Sequence, residues 1–183
     1  MKRIIFLLPL LAAALAACSP GGDGKSPVVL TLTGQLAETN RGAVSPREDL
    51  FLNWLGAESE RVFEFTAADL AALPQTTVAA DYPAGGPEHS FTGPRLSAVL
   101  EAAGARGEIV TAVALDGYGA DIPRALIDEY DVILATHRDG APLKLGGFGP
   151  AQVVFPRAEA QALRGMDDSL WVWGVVWMEA GDE

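Results

Sequence analysis

Residues 131–156 read DVILATHRDGAPLKLGGFGPAQVVFP, with two apolar runs separated by two turn-forming segments. Short apolar runs bounded by turn residues are typical of buried strands, so residues 132–136 and 152–155 each predict one. Asp139-Gly140 predicts a tight hairpin turn. The glycines within residues 146–149 permit close backbone approach, but no helix follows them, so they lack the context of a nucleotide-phosphate loop.

The rest of the chain continues this mixture of short strands and short helices. Helices are predicted at 67–73, after Pro94 and at 123–130, with one buried helical turn at 50–55. Thr66 and Asp69 resemble a capping box that opens the first of these helices. Strands are predicted at 28–36, 62–65, 76–79, 109–115 and 169–178. The pattern predicts a single α+β domain.

The last predicted strand carries a stripe of aromatic side chains. Its alternation places Trp171, Trp173 and Trp177 on one face, and the opposite face is apolar too. A strand that is apolar on both faces is expected to be central and covered on both sides. The stripe could stack on a flat ligand, but core packing is the interpretation we favour.

The N-terminus carries an export signal. Lys2-Arg3 precede an apolar run at 4–15 that is too short to span a bilayer, and this order is typical of a secretory signal peptide. Leu15-Ala16-Ala17-Cys18 resembles the lipobox of bacterial lipoproteins, with cleavage after residue 17 and lipidation of Cys18. Ser19 resembles the residue that sends such proteins to the outer membrane. An ordinary signal peptide with an incidental cysteine is the alternative.

These signals divide the chain into three parts. Residues 1–17 are the predicted signal peptide, 18–27 a lipidated flexible tether rich in Gly, Pro and Ser, and 28–183 the folded domain. Residues 38–61 have no single period and are interpreted as an insertion in that domain. The predicted location is the bacterial cell envelope, on a lipid anchor facing the periplasm, with the membrane as the first partner.

Composition excludes several classes of function. The chain has 13 basic and 24 acidic residues, a net charge of −11. Removing residues 1–17 removes Lys2 and Arg3 and leaves a mature charge of −13. So acidic a chain argues against nucleic-acid binding and against a polybasic membrane patch. Cys18 is the only cysteine, so the fold is not held by disulfides.

The order of several segments resembles a known family. Asp131-Val132-Ile133-Leu134-Ala135, Asp139-Gly140-Ala141-Pro142-Leu143, Gly149-Pro150 and Val153-Val154-Phe155-Pro156 look like the central signature of the sulfite-oxidase-like, molybdopterin-binding oxidoreductase domain. Phe91-Thr92-Gly93-Pro94-Arg95-Leu96 resembles an earlier strand-to-helix element of that family. The resemblance implies a mixed, sheet-rich fold with a few short helices. It is nearest to small exported bacterial members.

The resemblance also implies a cofactor whose protein ligand is missing here. Catalytic members hold molybdenum through the pterin dithiolene and one cysteine thiolate, located between residues 76–79 and Phe91 of this chain. This sequence has Ala79, Ala80 and Asp81 near that place. No residue is therefore assigned as a metal ligand. We expect no bound cofactor, although molybdopterin remains open through the resemblance. For the pterin phosphate, the region after Pro156 offers Arg157 and Arg164.

Seven residues are candidates for a ligand pocket, and no catalytic residue is assigned. Either histidine, His89 or His137, could be a general base, since histidine as a residue type titrates near neutral pH, and arginine presents a planar fork to anions. Tyr118 occupies a turn that lies near the cofactor face in the resembled family. Asp81 and Asp121 could line a cleft with Glu88. Each also has an ordinary structural or solvent-exposed interpretation. The candidates are Asp81, His89, Arg95, Tyr118, Asp121, His137 and Arg138.

Three functions remain open from the sequence. We favour a lipid-anchored envelope protein whose molybdopterin-type domain has lost molybdenum redox chemistry and binds a small ligand or an envelope protein. The second is an active molybdopterin-dependent oxidoreductase with a non-cysteine metal ligand such as Asp81. The third is a structural or sensing module at the membrane. Fold alone does not decide among them, because function belongs to the site.

Overall fold

The structure is a computed structural model that describes residues 26–182. The predicted signal peptide, the lipidated Cys18 and most of the predicted tether lie outside these residues, so they remain predictions. Within the described part of the chain, no helix is long and apolar enough to cross a membrane.

Eleven short strands, four short α-helices and a 3₁₀ helix make up the described chain. The strands are β1 (Val28–Gly34), β2 (Val62–Thr66), β3 (Gln75–Ala80), β4 (His89–Pro94), β5 (Ile109–Ala114), β6 (Gly119–Pro123), β7 (Ile133–Ala135), β8 (His137–Arg138), β9 (Ala141–Pro142), β10 (Gln152–Val154) and β11 (Val175–Gly181). The helices are α1 (Leu50–Leu55), α2 (Ala67–Ala72), α3 (Leu96–Ala102) and α4 (Arg124–Glu129), with a 3₁₀ helix at Gln161–Leu163.

The largest sheet has five strands in the order β2-β1-β11-β5-β6. Its middle strand, β11, runs parallel to β1 and antiparallel to β5. Since β1 begins the described domain and β11 ends it, this pairing closes the domain on itself. The sequence predicted a central last strand, and that prediction is confirmed.

The predicted extent of that last strand is wrong. Val175 begins the strand, and the preceding residues form an irregular segment. Gly174 has φ of +68°, a conformation that interrupts an extended strand and that side chains other than glycine rarely adopt. Trp171 and Trp173 therefore do not share a strand face with Trp177. Trp177 is buried in a small separate cluster with Ala57 and Val113.

A four-stranded sheet, β3-β4-β8-β9, and the pair β7–β10 complete the architecture. Asp139 and Gly140 both have positive φ and join β8 to β9 in the predicted tight turn, which is confirmed. Strand β4 crosses close to β7. A Cβ built on Gly93 would overlap the carbonyl oxygen of Leu134, so glycine is required for this crossing.

Local signals predicted most helices, with two corrections to the helices and one missed strand. The capping box at Thr66 and Asp69 is present and opens α2. Pro94 ends β4 and does not begin a helix, since α3 starts at Leu96. Helix α1 forms as predicted but is not buried, because Leu50, Phe51 and Trp54 are exposed. The sequence also missed strand β6, because its five residues include a glycine, a proline and only two apolar side chains, Ala120 and Ile122.

One main core joins the three sheets, and the domain is the sheet-rich α+β unit that the sequence predicted. Its apolar side chains come from all three sheets and from α2, α3 and α4. Its largest fully buried members include Leu30, Phe91, Leu100, Ile122, Leu134, Phe155 and Met178.

We predict that Gly93→Ala destabilises the domain by about 3 kcal/mol or more, because the new methyl group cannot be accommodated without moving the β7 backbone. Gly42→Ala is the matched control, since a Cβ at Gly42 meets nothing within 4 Å. Urea denaturation measures both free energies of unfolding. Equal stability of the two variants would contradict the close crossing of β4 and β7.

Candidate functional site

A cavity of about 520 Å³ lies where four chain segments meet. These are the loop after β3, the turn after β5, the glycine loop before β10 and the irregular segment before β11. Its volume falls within the range of ordinary small-molecule sites. The lining residues are Tyr82, Pro83, Ala84, Gly85, Ala114, Asp116, Tyr118, Phe148, Gln152, Asp168, Trp171 and Trp173.

Five of the twelve residues that line the cavity are aromatic. The ring of Tyr82 stacks on that of Phe148 with 5.5 Å between centroids and lies 5.8 Å from Trp171. Trp173 meets Phe148 edge to face at 6.1 Å. Trp171 is buried, whereas Tyr118 and Trp173 are 48% and 49% exposed. The aromatic wall therefore grades from buried Trp171, through half-buried Tyr82 and Phe148, to the exposed rings of Tyr118 and Trp173.

Gln152 borders this cavity and is fully buried. Its backbone belongs to β10, where it pairs with Ala135 and forms a bridge with Trp173. Neither the oxygen nor the nitrogen of its side-chain amide has a hydrogen-bond partner within the described residues. Buried amides are nearly always paired, and leaving one unpaired costs about 1–3 kcal/mol. An unpaired amide beside a cavity indicates a polar group to which a ligand can bind.

The charged side chains that line the cavity are both acidic. Asp116 lies in the turn after β5, where its carboxylate accepts a 3.0 Å hydrogen bond from the Tyr118 N–H. Asp168 lies in the segment before β11, and both carboxylates are exposed. Among the described residues that line the cavity there is no lysine or arginine.

Arg138 is the nearest cation that contacts the aromatic wall, although it does not line the cavity. Its guanidinium donates to the Tyr82 hydroxyl at 3.0 Å and lies 5.0 Å from the centre of the Phe148 ring. The pKa of the neighbouring Asp139 carboxyl is below its ordinary value, first because it accepts a hydrogen bond from the Ser90 N–H. The hydrogen bond with His89 and the charge of Arg138 lower the Asp139 pKa further.

A smaller cavity of about 300 Å³ lies on the other side of the loop after β3. Asp81, Glu88, Arg157 and Arg164 line it. Asp81 and Arg157 form an ion pair at 3.1 Å. This cavity therefore combines two carboxylates with two guanidinium groups.

Three of the seven candidate residues lie at or just behind the larger cavity. Tyr118 lines it and donates its hydroxyl to the Ser169 carbonyl at 2.8 Å. Arg138 and His89 lie behind Tyr82, with the His89 ring 6.1 Å from the Tyr82 ring. His89 Nδ1 is 2.7 Å from Asp139 Oδ2.

The structure places the other four candidates elsewhere. Asp81 lines the smaller cavity. Arg95 precedes α3 and pairs with Asp131 at 2.7 Å. Asp121 on β6 accepts a 2.7 Å hydrogen bond from Thr111 on β5, so it does not share a cleft with Asp81 and Glu88. His137 on β8 is exposed, and its Nδ1 lies 2.9 Å from the Thr136 hydroxyl.

Sequence reasoning missed most of the cavity wall. Trp171 and Trp173 were considered as ligand-stacking residues but assigned to core packing, because the segment looked like a continuous strand. Gln152 offered an overlooked signal, since it is a polar residue in the predicted buried run at 152–155. Tyr82, Phe148, Asp116 and Asp168 carry no recognisable motif, so only their positions in the fold identify them.

The profile of a known family, described as the oxidoreductase molybdopterin binding domain, matches residues 52–163. This chain belongs to that family. The matched span includes Tyr82, Tyr118, Phe148 and Gln152 of the cavity wall. Asp168, Trp171 and Trp173 lie beyond it.

A solved structure shares the fold. The sulfane dehydrogenase SoxCD from Paracoccus pantotrophus matches with a TM-score of 0.58 and 21% sequence identity, over 84% of this chain and 38% of that chain. This chain thus spans well under half of that relative. At this level of identity the likeness concerns the fold alone. No curated protein matches the sequence.

The cofactor that the family name implies fits the larger cavity only in part. Aromatic walls and an unpaired amide suit a flat pterin ring. Molybdenum needs a soft thiolate, however, and the only cysteine of the chain is Cys18. The described residues contain no group of three or more His, Cys, Asp or Glu side chains that could hold a metal ion. The carboxylates that line the cavity also oppose a phosphate.

We predict that Gln152→Leu raises the free energy of unfolding by about 1 kcal/mol, because leucine has no polar atoms that must be satisfied in the interior. The matched control is Gln161→Leu in the exposed 3₁₀ helix, which should give no gain. Thermal and urea unfolding of the purified domain measure both effects. A loss of more than 1 kcal/mol in Gln152→Leu would mean that the amide is paired in solution.

Proposed function

We propose that this protein is a lipid-anchored module of the bacterial cell envelope that binds a small ligand in the larger cavity and performs no molybdenum redox chemistry. The observation that carries the proposal is the combination of an aromatic cavity, an unpaired Gln152 amide and no cysteine in the domain. The family scaffold thus retains a place for a ligand without the thiolate that its metal requires.

The residues near the expected position of the metal-binding cysteine support this proposal. Ala80, at the end of β3, is fully buried and has no donor atom on its side chain. Asp81 follows it and holds Arg157 in an ion pair on the side of the smaller cavity. Asp81 does not line the larger cavity, so using it as an oxygen ligand there would require breaking this ion pair.

An active molybdopterin oxidoreductase is the second candidate function. Family membership and the dimensions of the aromatic cavity favour it. In that case Trp171 and Tyr82 would border the pterin ring, and the Gln152 amide would pair with its polar edge. The bound cofactor would supply the electron-transfer chemistry.

A purely structural or sensing role has less support, because such a role does not require an unpaired amide beside a cavity.

The face of the domain near its N-terminus supports the proposed lipid anchor. Pro27 and Val28 line an apolar groove with Phe51 and Leu145, and the neighbouring α1 exposes Trp54. Eight peptide bonds connect Cys18, at the start of the mature chain, to Ser26, which limits the distance between the two residues to about 28 Å. An anchor on Cys18 would thus hold this apolar face close to the bilayer, where amphipathic aromatic side chains are favoured. Ser19 favours the outer membrane.

The cofactor content of the exported protein tests the redox part of the proposal. We expect protein purified from a molybdenum-replete host to contain less than about 0.05 molybdenum per chain and no pterin fluorescence after denaturation, because no thiolate is available. A molybdopterin enzyme produced in the same cells verifies that the host supplies the cofactor. Stoichiometric molybdenum in folded protein would exclude the proposal and favour the oxidoreductase.

The lipid anchor has a separate test. We expect wild-type protein to incorporate labelled palmitate and to sediment with membranes, whereas Cys18→Ser protein incorporates none and loses that attachment. Ser19→Asp is the matched control, since it keeps the cysteine and should move the labelled protein from the outer to the inner membrane. Absence of label from the wild-type protein would exclude the anchor.

A further inference from the structure

We infer that the larger cavity is selective for a small organic cation, such as a methylated or aromatic ammonium compound. This inference rests on the proposed function, because it specifies the ligand of the same site. The larger cavity combines three features that point in this direction: two carboxylates at its rim, five aromatic rings in its wall and an unpaired amide in its depth.

The charged side chains of the larger cavity favour a cation over an anion. Asp116 and Asp168 are the charged side chains that line the cavity within residues 26–182. Opposite charge near a partly enclosed site raises the local concentration of a cation and disfavours an anion. The chain as a whole is acidic as well, with a net charge of −11. A phosphate-bearing pterin would meet the wrong charge at this entrance.

The aromatic rings provide the second part of the recognition. Cations bind over the faces of tryptophan and tyrosine, and aromatic cages of this kind recognise quaternary ammonium groups. Tyr118 and Trp173 stand half-exposed at the mouth, while Trp171 and Tyr82 continue the aromatic wall inward. A methylated ammonium group can therefore contact apolar ring surface while its charge is offset by the rim carboxylates.

Gln152 provides the third part of the ligand recognition. Its amide offers one acceptor and two donor hydrogens, and the protein uses none of them in the described residues. A ligand that carries a hydroxyl or a carbonyl group besides its cationic nitrogen can pair with this amide. The paired group would lie at the inner end of the cavity and the charged nitrogen at the mouth.

The positive charge of Arg138 does not cancel the negative charge of the two carboxylates that line the larger cavity. Its guanidinium is committed to the Tyr82 hydroxyl and the Phe148 ring, and it does not line the cavity. The Asp139 carboxylate is close enough to Arg138 for their charges to interact. Asp139 Oδ2 also lies 2.7 Å from His89 Nδ1. The positive charge behind the wall is therefore locally offset.

Calorimetric titration of the purified domain with an isosteric pair of probes tests the inference. Choline carries a quaternary ammonium group, and 3,3-dimethyl-1-butanol replaces its nitrogen with carbon. We expect choline to bind about tenfold more tightly than the neutral alcohol, since cation–π contact and the rim carboxylates act on the cation alone. Raising the ionic strength should weaken choline binding and leave the alcohol unchanged.

Substitutions of lining residues test whether choline binds in the larger cavity. The double variant Asp116→Asn/Asp168→Asn keeps the shape of both side chains and should lower choline affinity about tenfold. Glu38→Gln/Glu101→Gln changes the net charge equally at exposed sites outside the cavity and should have no such effect. Trp173→Leu should weaken choline binding, whereas Trp54→Leu, at an exposed tryptophan of α1, should not.

The outcomes separate this inference from the proposed function. Preferential choline binding that the rim variants abolish supports both. Equal binding of the two probes, or tighter binding of the flat anion pterin-6-carboxylate, would overturn the inference and leave the small-ligand function in place. If none of the three probes binds to folded protein, the inference fails. If the purified protein carries molybdopterin, the proposed function fails, whatever the probes do.

Discussion

The backbone of Gly174 joins three parts of the chain that lie far apart in sequence. Its N–H donates to the carbonyl of Phe148, and its carbonyl accepts from the N–H of Leu115. On either side, Val153 donates to Val172 and Val175 donates to Ala151. These hydrogen bonds attach the end of β5, the glycine loop and β10 to the start of the central strand. Three of the four segments that carry the cavity walls are fixed to one another here, and the loop after β3 joins them through the packing of Tyr82 on Phe148 and Trp171.

The backbone framework around this junction and the side chains that line the cavity play different roles in the domain. The sheets and the close approach of β4 to β7 at Gly93 depend on backbone geometry. The chemistry depends on side chains. The cavity has five aromatic residues, an unpaired amide and two carboxylates among its lining residues. These side chains, and not the shared backbone, set the class of ligand that the cavity can bind.

Local sequence signals predicted the elements whose causes are local. The capping box at Thr66, the turn at Asp139-Gly140 and the apolar runs of β1, β5 and β7 need only neighbouring residues to form, and all appear as predicted. The errors concern features set by distant contacts. Helix α1 was expected to be buried, but only Leu52 and Leu55 pack against the cluster of Ala57, Val113 and Trp177, while the rest of its apolar side chains stay exposed. The run at 169–178 looked like one strand, but pairing with two different segments breaks it at Gly174.

By itself, the sequence determined the fold class, the family, the strongly acidic charge and the absence of any cysteine after Cys18, because all of these follow from composition, local pattern and motif order. Only the tertiary structure decided which side chains meet. Tyr82, Tyr118, Gln152 and Trp171 are up to 89 positions apart, and nothing local links them. They become neighbours because backbone hydrogen bonds around the left-handed Gly174 join the turn after β5, the glycine loop and the segment before β11, while Tyr82 packs on Phe148 and Trp171. Local periodicity does not report such long-range contacts.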